Sequence, residues 1–521
     1  MRFAPPLLWL LACVASPSFA QSGQCTGPRA LSDPGTTPAW NGWGADLSNS
    51  RFQAAKDAQL AASQIPHLKL KWAFGFPDTK SVLGPPSVVS GRVFLGVDTG
   101  KVYSLDAASG CLYWSFQADA GVRTAIVVER LGTRFVAYFG DLKAKAYAVD
   151  ATTGALLWKL PLDDHPAARI TGAPKVFEGR VYFPVASGEE ASGADPKYAC
   201  CTFRGSVEAL DAATGGRIWK RYMIADKPRP VGKNANGVAR FAPAGAGVWS
   251  TPTIDTQRRA LYVGTGDAYT EPASKKTDAI LALDLASGGI LWSAQDSRND
   301  AWLLGCAGPF SEEKPRPENC PKDLGPDHDF GSPPMLVTLA GGRTILVAGQ
   351  KSGNVWAHDP DNKGAVLWHT ALVSNTKEFG GKIVWGGAVD QQNAYFGLGT
   401  GGIAAVQLKD GDPRWFVTLD TATTIEPRLQ RHDGPLTAIP GVIFSGGWDG
   451  MLRALAAVDG HVLWEYNTIR EYKTVNGVAA KGGSMGAAGP IVAGGMLFAP
   501  SGYVGVYNGM PGNVLLAFGA E

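Results

Sequence analysis

The sequence predicts an all-β fold, an eight-bladed β-propeller of four-stranded antiparallel blades. Three observations lead to this prediction. Glycine and proline together make up about a fifth of the 521 residues, against a usual share of about an eighth. Charged residues are only 18 % of the chain, while tryptophan occurs 16 times. Finally, one phrase ending in tryptophan recurs along the sequence, and such repeats are typical of blades arranged around an axis.

The recurring phrase is an apolar strand end followed by Asp, a Gly turn and an apolar trio that ends in Trp. In all seven copies a Gly lies four residues before the Trp. We interpret these indoles as structural, each packing on a neighbouring blade, rather than as a binding site. The copies end at Trp114, Trp158, Trp219, Trp292, Trp368, Trp415 and Trp464.

The strands of one blade can be identified before Trp114. The runs Pro86–Val89, Arg92–Val97 and Lys101–Leu105 alternate with tight Gly turns, and the strand that carries Trp114 follows them. This pattern is typical of four antiparallel strands joined by hairpins.

An eighth blade requires both ends of the chain. Trp72 lies 42 residues before Trp114 but lacks the preceding strands of the repeat, and the run Asn513–Phe518 lacks a following Trp. We expect the two segments to share one sheet, since such closure removes an exposed sheet edge.

The first twenty residues predict a secretory signal peptide, and residues 21–521 a single propeller domain. Arg2 supplies the basic region, Leu7–Val14 an apolar run too short to span a bilayer, and Ser18–Ala20 a cleavage site. We therefore expect a periplasmic or secreted protein with no membrane span. The formal net charge of +2, without any block of Lys or Arg, argues against nucleic acid as a partner.

Six cysteines follow the predicted signal peptide, and an even number in an exported chain suggests disulfides. Cys306 and Cys320 enclose a charged, Pro-rich loop and are expected to form a local bridge. Cys200 and Cys201 could form a vicinal bridge, or each could pair elsewhere. No Cys-x-x-Cys-His sequence occurs, so a covalent c-type haem is not expected.

The spacing of the repeats identifies where loops interrupt the propeller. The intervals ending at Trp219, Trp292 and Trp368 are 61, 73 and 76 residues, against 44 between Trp114 and Trp158. The additional residues must form loops, and loops on a rigid scaffold often carry function. These loops are rich in acids and cysteines: Glu189, Glu190, Asp195, Cys200, Cys201, Asp267, Asp300, Asp327 and Asp329.

The Trp repeats resemble the docking motif of the pyrroloquinoline quinone (PQQ) dependent alcohol dehydrogenases, and within that family the polyvinyl alcohol dehydrogenase group. Segments similar to that group's signatures occur along essentially the whole chain after the predicted signal peptide. They are Trp40–Gly44, Asn49–Gln53, Gly325–Gly331, Lys481–Ser484 and Ala488–Pro490. The resemblance implies PQQ- and calcium-dependent oxidation of an alcohol, in particular a secondary alcohol such as polyvinyl alcohol, to a ketone. It also implies that electrons pass to an external acceptor such as a c-type cytochrome.

The resemblance further implies a calcium site beside the cofactor. Glu189 and Asp267 fall where the family places ligands to the ion, and carboxylate oxygens are ligands that Ca²⁺ prefers. Trp249 lies 18 residues before Asp267, at the position of an indole that stacks on the quinone. Asp327 resembles the catalytic base and is a further expected ligand to the ion. Asp329 is its rival as base, because the local pattern is shortened to Asp-His-Asp.

In the implied reaction Asp327 would accept the proton of the alcohol while hydride passes to the quinone. Lys351 would stabilise the negative charge that develops on the quinone oxygens. The other expected cofactor contacts are Arg123, Thr171, Gly188, Trp385, Cys200 and Cys201.

Two other functions stay open at this point. The same cofactors could serve a different alcohol or an aldose. Alternatively, the propeller could be a non-catalytic scaffold, like the outer-membrane assembly factors that share these repeats but lack the acidic insertions and the stacking indole.

Overall fold

A computed structural model describes Met1 and residues 23–27, 30–306, 317–373, 382–419 and 426–521. These residues form eight antiparallel sheets of four main strands each, one per blade, so the predicted eight-bladed β-propeller is confirmed. Apart from Met1, the predicted signal peptide at 1–20 lies outside the described residues.

The strands follow the blades in chain order, starting with β1 (Leu68–Gly75), which belongs to blade 8. Blade 1 contains β2 (Ser87–Val89), β3 (Arg92–Gly96), β4 (Lys101–Asp106) and β5 (Leu112–Gln117). Blade 2 contains β6 (Val127–Leu131), β7 (Arg134–Gly140), β8 (Lys145–Asp150) and β9 (Leu156–Pro161). Blade 3 contains β10 (Ala168–Arg169), β11 (Lys175–Phe177), β12 (Arg180–Ser187), β13 (Ser206–Asp211) and β14 (Arg217–Tyr222). A separate hairpin follows, with β15 (Arg229–Lys233) and β16 (Ala239–Ala242).

The second half of the chain continues this pattern. Blade 4 contains β17 (Thr253–Asp255), β18 (Ala260–Gly264), β19 (Ala279–Asp284) and β20 (Ile290–Gln295). Blade 5 contains β21 (Met335–Thr338), β22 (Thr344–Gly349), β23 (Asn354–Asp359) and β24 (Ala365–Ala371). Blade 6 contains β25 (Gly387–Val389), β26 (Asn393–Gly397), β27 (Ile403–Gln407) and β28 (Pro413–Val417). Blade 7 contains β29 (Thr437–Ile439), β30 (Val442–Gly446), β31 (Met451–Ala456) and β32 (Val462–Asn467).

Blade 8 is built from both ends of the chain, as the sequence predicts. After the small hairpin of β33 (Glu471–Tyr472) and β34 (Ala480–Lys481), the chain forms β35 (Ile491–Ala493), β36 (Met496–Ser501) and β37 (Val514–Ala520). The last strand, β37, pairs antiparallel with β1, which lies at one edge of this sheet. The short helices in the described residues are α1 (Ala55–Ala58), α2 (Glu189–Ser192) and 3₁₀ turns at Pro34–Thr36, Ala62–His67, Pro360–Asn362 and Pro427–Leu429.

The repeated tryptophans join each blade to the next. The Trp72 indole donates from Nε1 to the carbonyl of Ala107 at 3.1 Å, and a Cβ on Gly110 would lie 2.7 Å from its ring. Gly110 has a φ of +73°, so its turn requires a residue that tolerates a left-handed backbone and has no side chain. The equivalent contacts pair Trp114 with Gly154, Trp158 with Gly215, Trp219 with Gly288, Trp292 with Gly364, Trp368 with Gly411 and Trp415 with Gly460.

Residues 40–53, here called the plug, bond to the first main strand of every blade. The fully buried guanidinium of Arg51 donates to carbonyl oxygens of Trp43, Leu436 and Pro490, and burial lowers its pKa to about 9. The plug contacts the blades in their order around the ring. The bonded pairs are Trp40 with Val88, Asn41 with Val128, Asp46 with Lys175, Leu47 with Ile254, Ser48 with Leu336, Ser50 with Val389, Arg51 with Ala438 and Gln53 with Val492.

Three disulfides form in the described part of the chain. Cys306 pairs with Cys320, as predicted, and Cys200 pairs with its neighbour Cys201. The third bridge joins Cys25 to Cys111 and ties the segment before the plug to blade 1. Among the described residues, no helix is long and apolar enough to cross a membrane.

Candidate functional site

A cavity brings together most of the side chains that the sequence singled out. Directly behind it, Trp43 of the plug shares a smaller pocket with Trp249 and Trp385. The predicted site residues that line the main cavity are Arg123, Thr171, Gly188, Trp249, Asp267, Asp327, Lys351 and Trp385, together with Asp329, the rival of Asp327.

The long insertions of blades 3 to 5 meet at this cavity because their backbones pair with one another. Isolated β-bridges connect Arg204 to Gly245, Gly245 to Ala268, and Ala268 to Ala301. This line of paired backbone fixes the loops that carry Trp249, Asp267 and the two acids at 327 and 329.

Three carboxylates form a cluster in the cavity. Oxygens of Glu190, Asp267 and Asp329 all lie within 4.8 Å of one another. The Asp267 backbone N–H donates to Asp329 Oδ1 at 2.6 Å, and Oδ2 of Asp267 is buried with no hydrogen-bond partner in the described structure. Burial raises the pKa of Asp267, and the charges of Asp329 and Glu190 raise it further. Burial likewise raises the pKa of Glu190 to about 7.

The expected ligand Glu189 does not belong to this cluster, and Glu190 stands in its place. The fully buried Glu189 carboxylate accepts from the backbone N–H groups of Thr202 at 2.9 Å and Phe203 at 2.8 Å, and from the hydroxyl of Tyr198 at 3.1 Å. Neighbouring residues on a helix point about 100° apart, so only one of the two can face the cavity. Glu189 therefore positions the loop at 198–203.

Asp327 also lies outside the cluster of three acids and pairs with Lys351 instead. Lys351 Nζ lies 2.6 Å from Asp327 Oδ1 and 2.9 Å from Asp329 Oδ2. Burial raises the pKa of Asp327, against the lowering effect of the Lys351 charge. For Lys351, burial alone would lower the pKa, but the charges of Asp327 and Asp329 raise it well above its ordinary value.

Asp300 positions the loop that carries both acids. Its carboxylate accepts from the backbone N–H of Asp327 at 3.2 Å and of His328 at 2.7 Å. Asp327 itself has a left-handed backbone, with a φ of +62°, which Asp adopts more readily than most residues. The two carboxylates therefore have different neighbours: Asp329 contacts both Asp267 and Lys351, whereas Asp327 contacts Lys351.

The Trp249 ring is held from several sides. Its carbonyl accepts from the Thr171 hydroxyl at 2.9 Å, and its ring meets the Trp385 ring edge-on at 5.7 Å between centroids. Lys351 Nζ lies 5.4 Å from the centre of the Trp249 ring. A Cβ on Gly331 would lie only 2.0 Å from this ring, so that position must be glycine.

Two arginines line the cavity, and sequence reasoning identified only Arg123. The Arg123 guanidinium lies 4.5 Å from the centre of the Trp385 ring. Arg169 is the missed residue; its Nε is buried without a partner among the described residues, and burial, followed by the Arg123 charge, lowers its pKa. A Cβ on Gly188 would lie 1.9 Å from Arg169 Nη2, so the guanidinium packs directly on this glycine. Arg169 lies two residues before Thr171, an expected cofactor contact, and this proximity in the sequence could have identified it.

The bridged pair Cys200–Cys201 does not line the cavity, although both were expected contacts. Both cysteines are buried in a cluster with Phe203 and Leu303. The Tyr269 side chain lines the cavity and also shares a small pocket with Cys200 on its other side. The bridge therefore packs behind Tyr269.

The residues present fit both groups that the sequence resemblance implies. Three clustered carboxylates, two of them buried and one with an oxygen that has no partner in the described structure, offer the hard oxygen ligands that a divalent cation prefers. The two arginines and the adjacent indole suit a flat anionic ligand, because guanidinium groups bind carboxylates and an aromatic face packs on a ring.

Comparison with known proteins identifies the family of this chain. Residues 40–304 match the family described as the glucose/ethanol/alcohol dehydrogenase β-propeller domain, whose cofactor is PQQ. The chain belongs to the PQQ-dependent alcohol dehydrogenases and is an oxidoreductase.

Within that class, the chain is similar to two polyvinyl alcohol dehydrogenases. It is 39 % identical to that of a Pseudomonas species and 36 % identical to that of a Sphingopyxis species. Each alignment covers 96 % of this chain and 79 % of the relative.

Solved structures and a second family share the fold. The quinohemoprotein alcohol dehydrogenase of Comamonas testosteroni superposes with a TM-score of 0.67 at 18 % identity, covering 92 % of this chain and 80 % of that one. Residues 203–447 and 351–506 also match the family of the outer membrane protein assembly factor BamB, which reflects shared propeller repeats.

Proposed function

We propose that this protein oxidises secondary alcohols, such as polyvinyl alcohol, to ketones with PQQ and Ca²⁺, and passes the electrons to an external acceptor such as a c-type cytochrome. One observation carries the proposal: a cluster of three acids and an Asp–Lys pair lie beside an immobilised indole in a single cavity. The extent of the similarity to polyvinyl alcohol dehydrogenases supports the choice of substrate. Three disulfides support a periplasmic or secreted location.

In this proposal Glu190, Asp267 and Asp329 hold the Ca²⁺ ion. The Trp249 ring would provide an aromatic face for PQQ, and the guanidinium groups of Arg123 and Arg169 would bind its carboxylates. Thr171, Gly188 and Trp385 complete the binding surface. When bound, PQQ supplies a two-electron acceptor and Ca²⁺ supplies a Lewis acid.

Asp327 acts as the base. Its carboxylate would accept the proton of the substrate hydroxyl, and the raised pKa that burial produces favours proton uptake. Lys351 holds this carboxylate at 2.6 Å, and its ammonium group offers positive charge where negative charge develops in the reaction. Asp300 positions the base through its hydrogen bond to the Asp327 backbone.

Separate substitutions of the two neighbouring acids test these roles. We expect Asp327→Asn, reconstituted with PQQ and Ca²⁺, to lose about 10²–10⁴-fold in kcat while binding both groups, which is the usual contribution of a general base. Asp329→Asn should instead weaken Ca²⁺ binding, because it removes one of three ligands. Dye reduction measures turnover, calorimetry measures Ca²⁺ affinity, and quenching of tryptophan fluorescence measures PQQ binding.

Other outcomes would contradict these roles or the proposal itself. Full turnover by Asp327→Asn would move the role of base to Asp329. No binding of PQQ to the wild-type protein would contradict the proposal as a whole. Turnover with glucose but with none of the secondary alcohols would contradict the substrate class, and failure to reduce any c-type cytochrome would contradict the acceptor.

A further inference from the structure

The entrance of the cavity is apolar, in contrast to its acidic interior. Val506 lines the cavity, yet the residue is 62 % exposed to solvent. Leu304 and Ala191 line the cavity as well and are also partly or largely exposed. The backbone N–H of Leu304 donates to the Glu190 carbonyl at 3.2 Å, which connects this apolar rim directly to the cluster of acids.

Tyr507, next to Val506, forms a fixed wall of the same entrance. The Arg431 guanidinium lies 3.9 Å from the centre of its ring, and the Trp448 ring meets it edge-on at 5.3 Å. Arg431 is itself held by the buried carboxylate of Asp433, which also accepts from Trp448 Nε1 at 2.7 Å. The Tyr507 ring therefore keeps its position without any ligand.

The loop that carries Val506 and Tyr507 is bonded at both ends. The backbone N–H of Val504 donates to the Ser81 hydroxyl at 3.0 Å, and that of Gly509 donates to the Val504 carbonyl at 2.7 Å. A Cβ on Gly505 would lie 2.4 Å from the Tyr503 ring, so the loop packs closely on that ring. The exposed Val506 side chain therefore lies on a loop that hydrogen bonds and packing hold in place.

We propose that Val506 and Tyr507 select the substrate of this enzyme by its hydrocarbon part, favouring alcohols with alkyl groups on both sides of the carbinol over aldoses. The inference rests on the proposed function, which places the reacting hydroxyl among the acids. A substrate with its hydroxyl there extends past the rim of Ala191, Leu304 and Val506. Alkyl chains, and the CH2 groups that alternate with the carbinols of polyvinyl alcohol, gain from contact with these side chains. An aldose has an oxygen on every carbon and loses more hydrogen bonds to water, which the rim cannot replace.

Val506→Thr tests this selection, because threonine keeps the shape of valine and replaces one methyl group with a hydroxyl. For the reconstituted enzyme we expect kcat/KM for 2-octanol to fall about tenfold through KM, with little change for glucose, since small changes in an apolar pocket are worth about 10-fold or more. A second readout needs no turnover: binding of 2-methyl-2-heptanol, which has no carbinol hydrogen to lose, should weaken by a similar factor in calorimetry. Val458→Thr is the matched control, because Val458 is 81 % exposed on a blade 7 turn outside the cavity lining.

The outcomes separate the two proposals. If Val506→Thr oxidises alcohols with an unchanged ratio of kcat/KM for 2-octanol to kcat/KM for glucose, the selection by the rim is overturned. The proposed function is not affected by that result. The same follows if Val458→Thr changes the ratio equally. No turnover of any alcohol by the wild-type protein would overturn both, whereas a selective loss in both readouts supports the inference.

Discussion

The contact between Gly331 and Trp249 sets the position of the indole in the site. Gly331→Ala would insert a methyl group 2.0 Å from the ring and force Trp249 to move. Overpacking of this kind costs about 1–3 kcal/mol, so we expect PQQ affinity to fall by about 5-fold to 150-fold if the displaced ring loses that much in binding. Fluorescence quenching on titration with PQQ measures the change.

The control for this substitution is Gly341→Ala, since nothing lies within 4 Å of a Cβ at Gly341. That variant should bind PQQ like the wild type. Equal affinity of Gly331→Ala and the wild-type protein would show that Trp249 is not a binding surface for the cofactor.

A buried histidine makes stability depend on pH. His432 is fully buried, neither of its ring nitrogens has a hydrogen-bond partner in the described structure, and burial lowers its pKa to about 4. Between pH 6.5 and 4 the unfolded chain therefore binds a proton that the folded chain does not, so stability falls as the pH falls through this range. From pH 7 to pH 5 the loss from His432 is about 2 kcal/mol.

Urea titration at pH 7 and pH 5 measures that loss. The drop in the free energy of unfolding should be smaller by about 2 kcal/mol in His432→Asn than in the wild type. His67→Asn, at an exposed histidine, should keep the full drop. An equal drop in the wild type and His432→Asn would show that His432 does not carry this pH dependence.

At single residues, the sequence supports most of the cavity lining but not the choice between neighbours. Glu189 and Glu190 are chemically identical, and only the turn of α2 decides that Glu189 accepts from backbone N–H groups while Glu190 faces Asp267. Asp327 and Asp329 differ in the same way, through the left-handed backbone at Asp327. Such differences depend on the course of the backbone, which spacing alone does not specify.

At the scale of elements, the docking of Trp on Gly explains how blades are held together. Gly288 has a φ of +66°, and a Cβ there would lie 2.5 Å from the Trp219 ring. For Gly288→Ala we expect a loss of about 2–4 kcal/mol, from left-handed strain and overpacking together. Thermal and urea unfolding measure the loss.

The neighbouring Gly289 provides the control. A Cβ there meets only the Ser287 hydroxyl, at 3.3 Å, and its φ lies outside the left-handed region. Gly289→Ala should therefore unfold much like the wild type. If both alanine variants lost the same stability, the docking contact would not be the cause.

The long loops show which features the spacing of the repeats predicts and which it does not. Repeat spacing correctly located the long loops between Trp158 and Trp368, since the regular turns leave a surplus of residues there. It could not predict that these loops pair with one another through Gly245 and Ala268. Arg169 was missed for a related reason, because its packing on Gly188 at the cavity depends on the folded blade.

At the scale of the whole molecule, the fold was predictable because one local rule is repeated. Each blade needs only its Trp and its Gly turn, and closure by β1 and β37 follows from the incomplete units at the two ends. The plug follows no such rule. Its sequence is irregular, and its structure depends on eight partners that are spread over the chain from Val88 to Val492.

The plug has a consequence for the order of assembly. Residues 40–53 precede every blade in the sequence, yet the last of their partners belongs to blade 8, which is complete only when β37 is in place. The plug is therefore synthesised before all eight blades but can form its last contacts only after blade 8 has been synthesised. Arg51 donates to the carbonyls of Trp43 and Pro490, so its hydrogen bonds cannot all form until the last part of the chain has been synthesised.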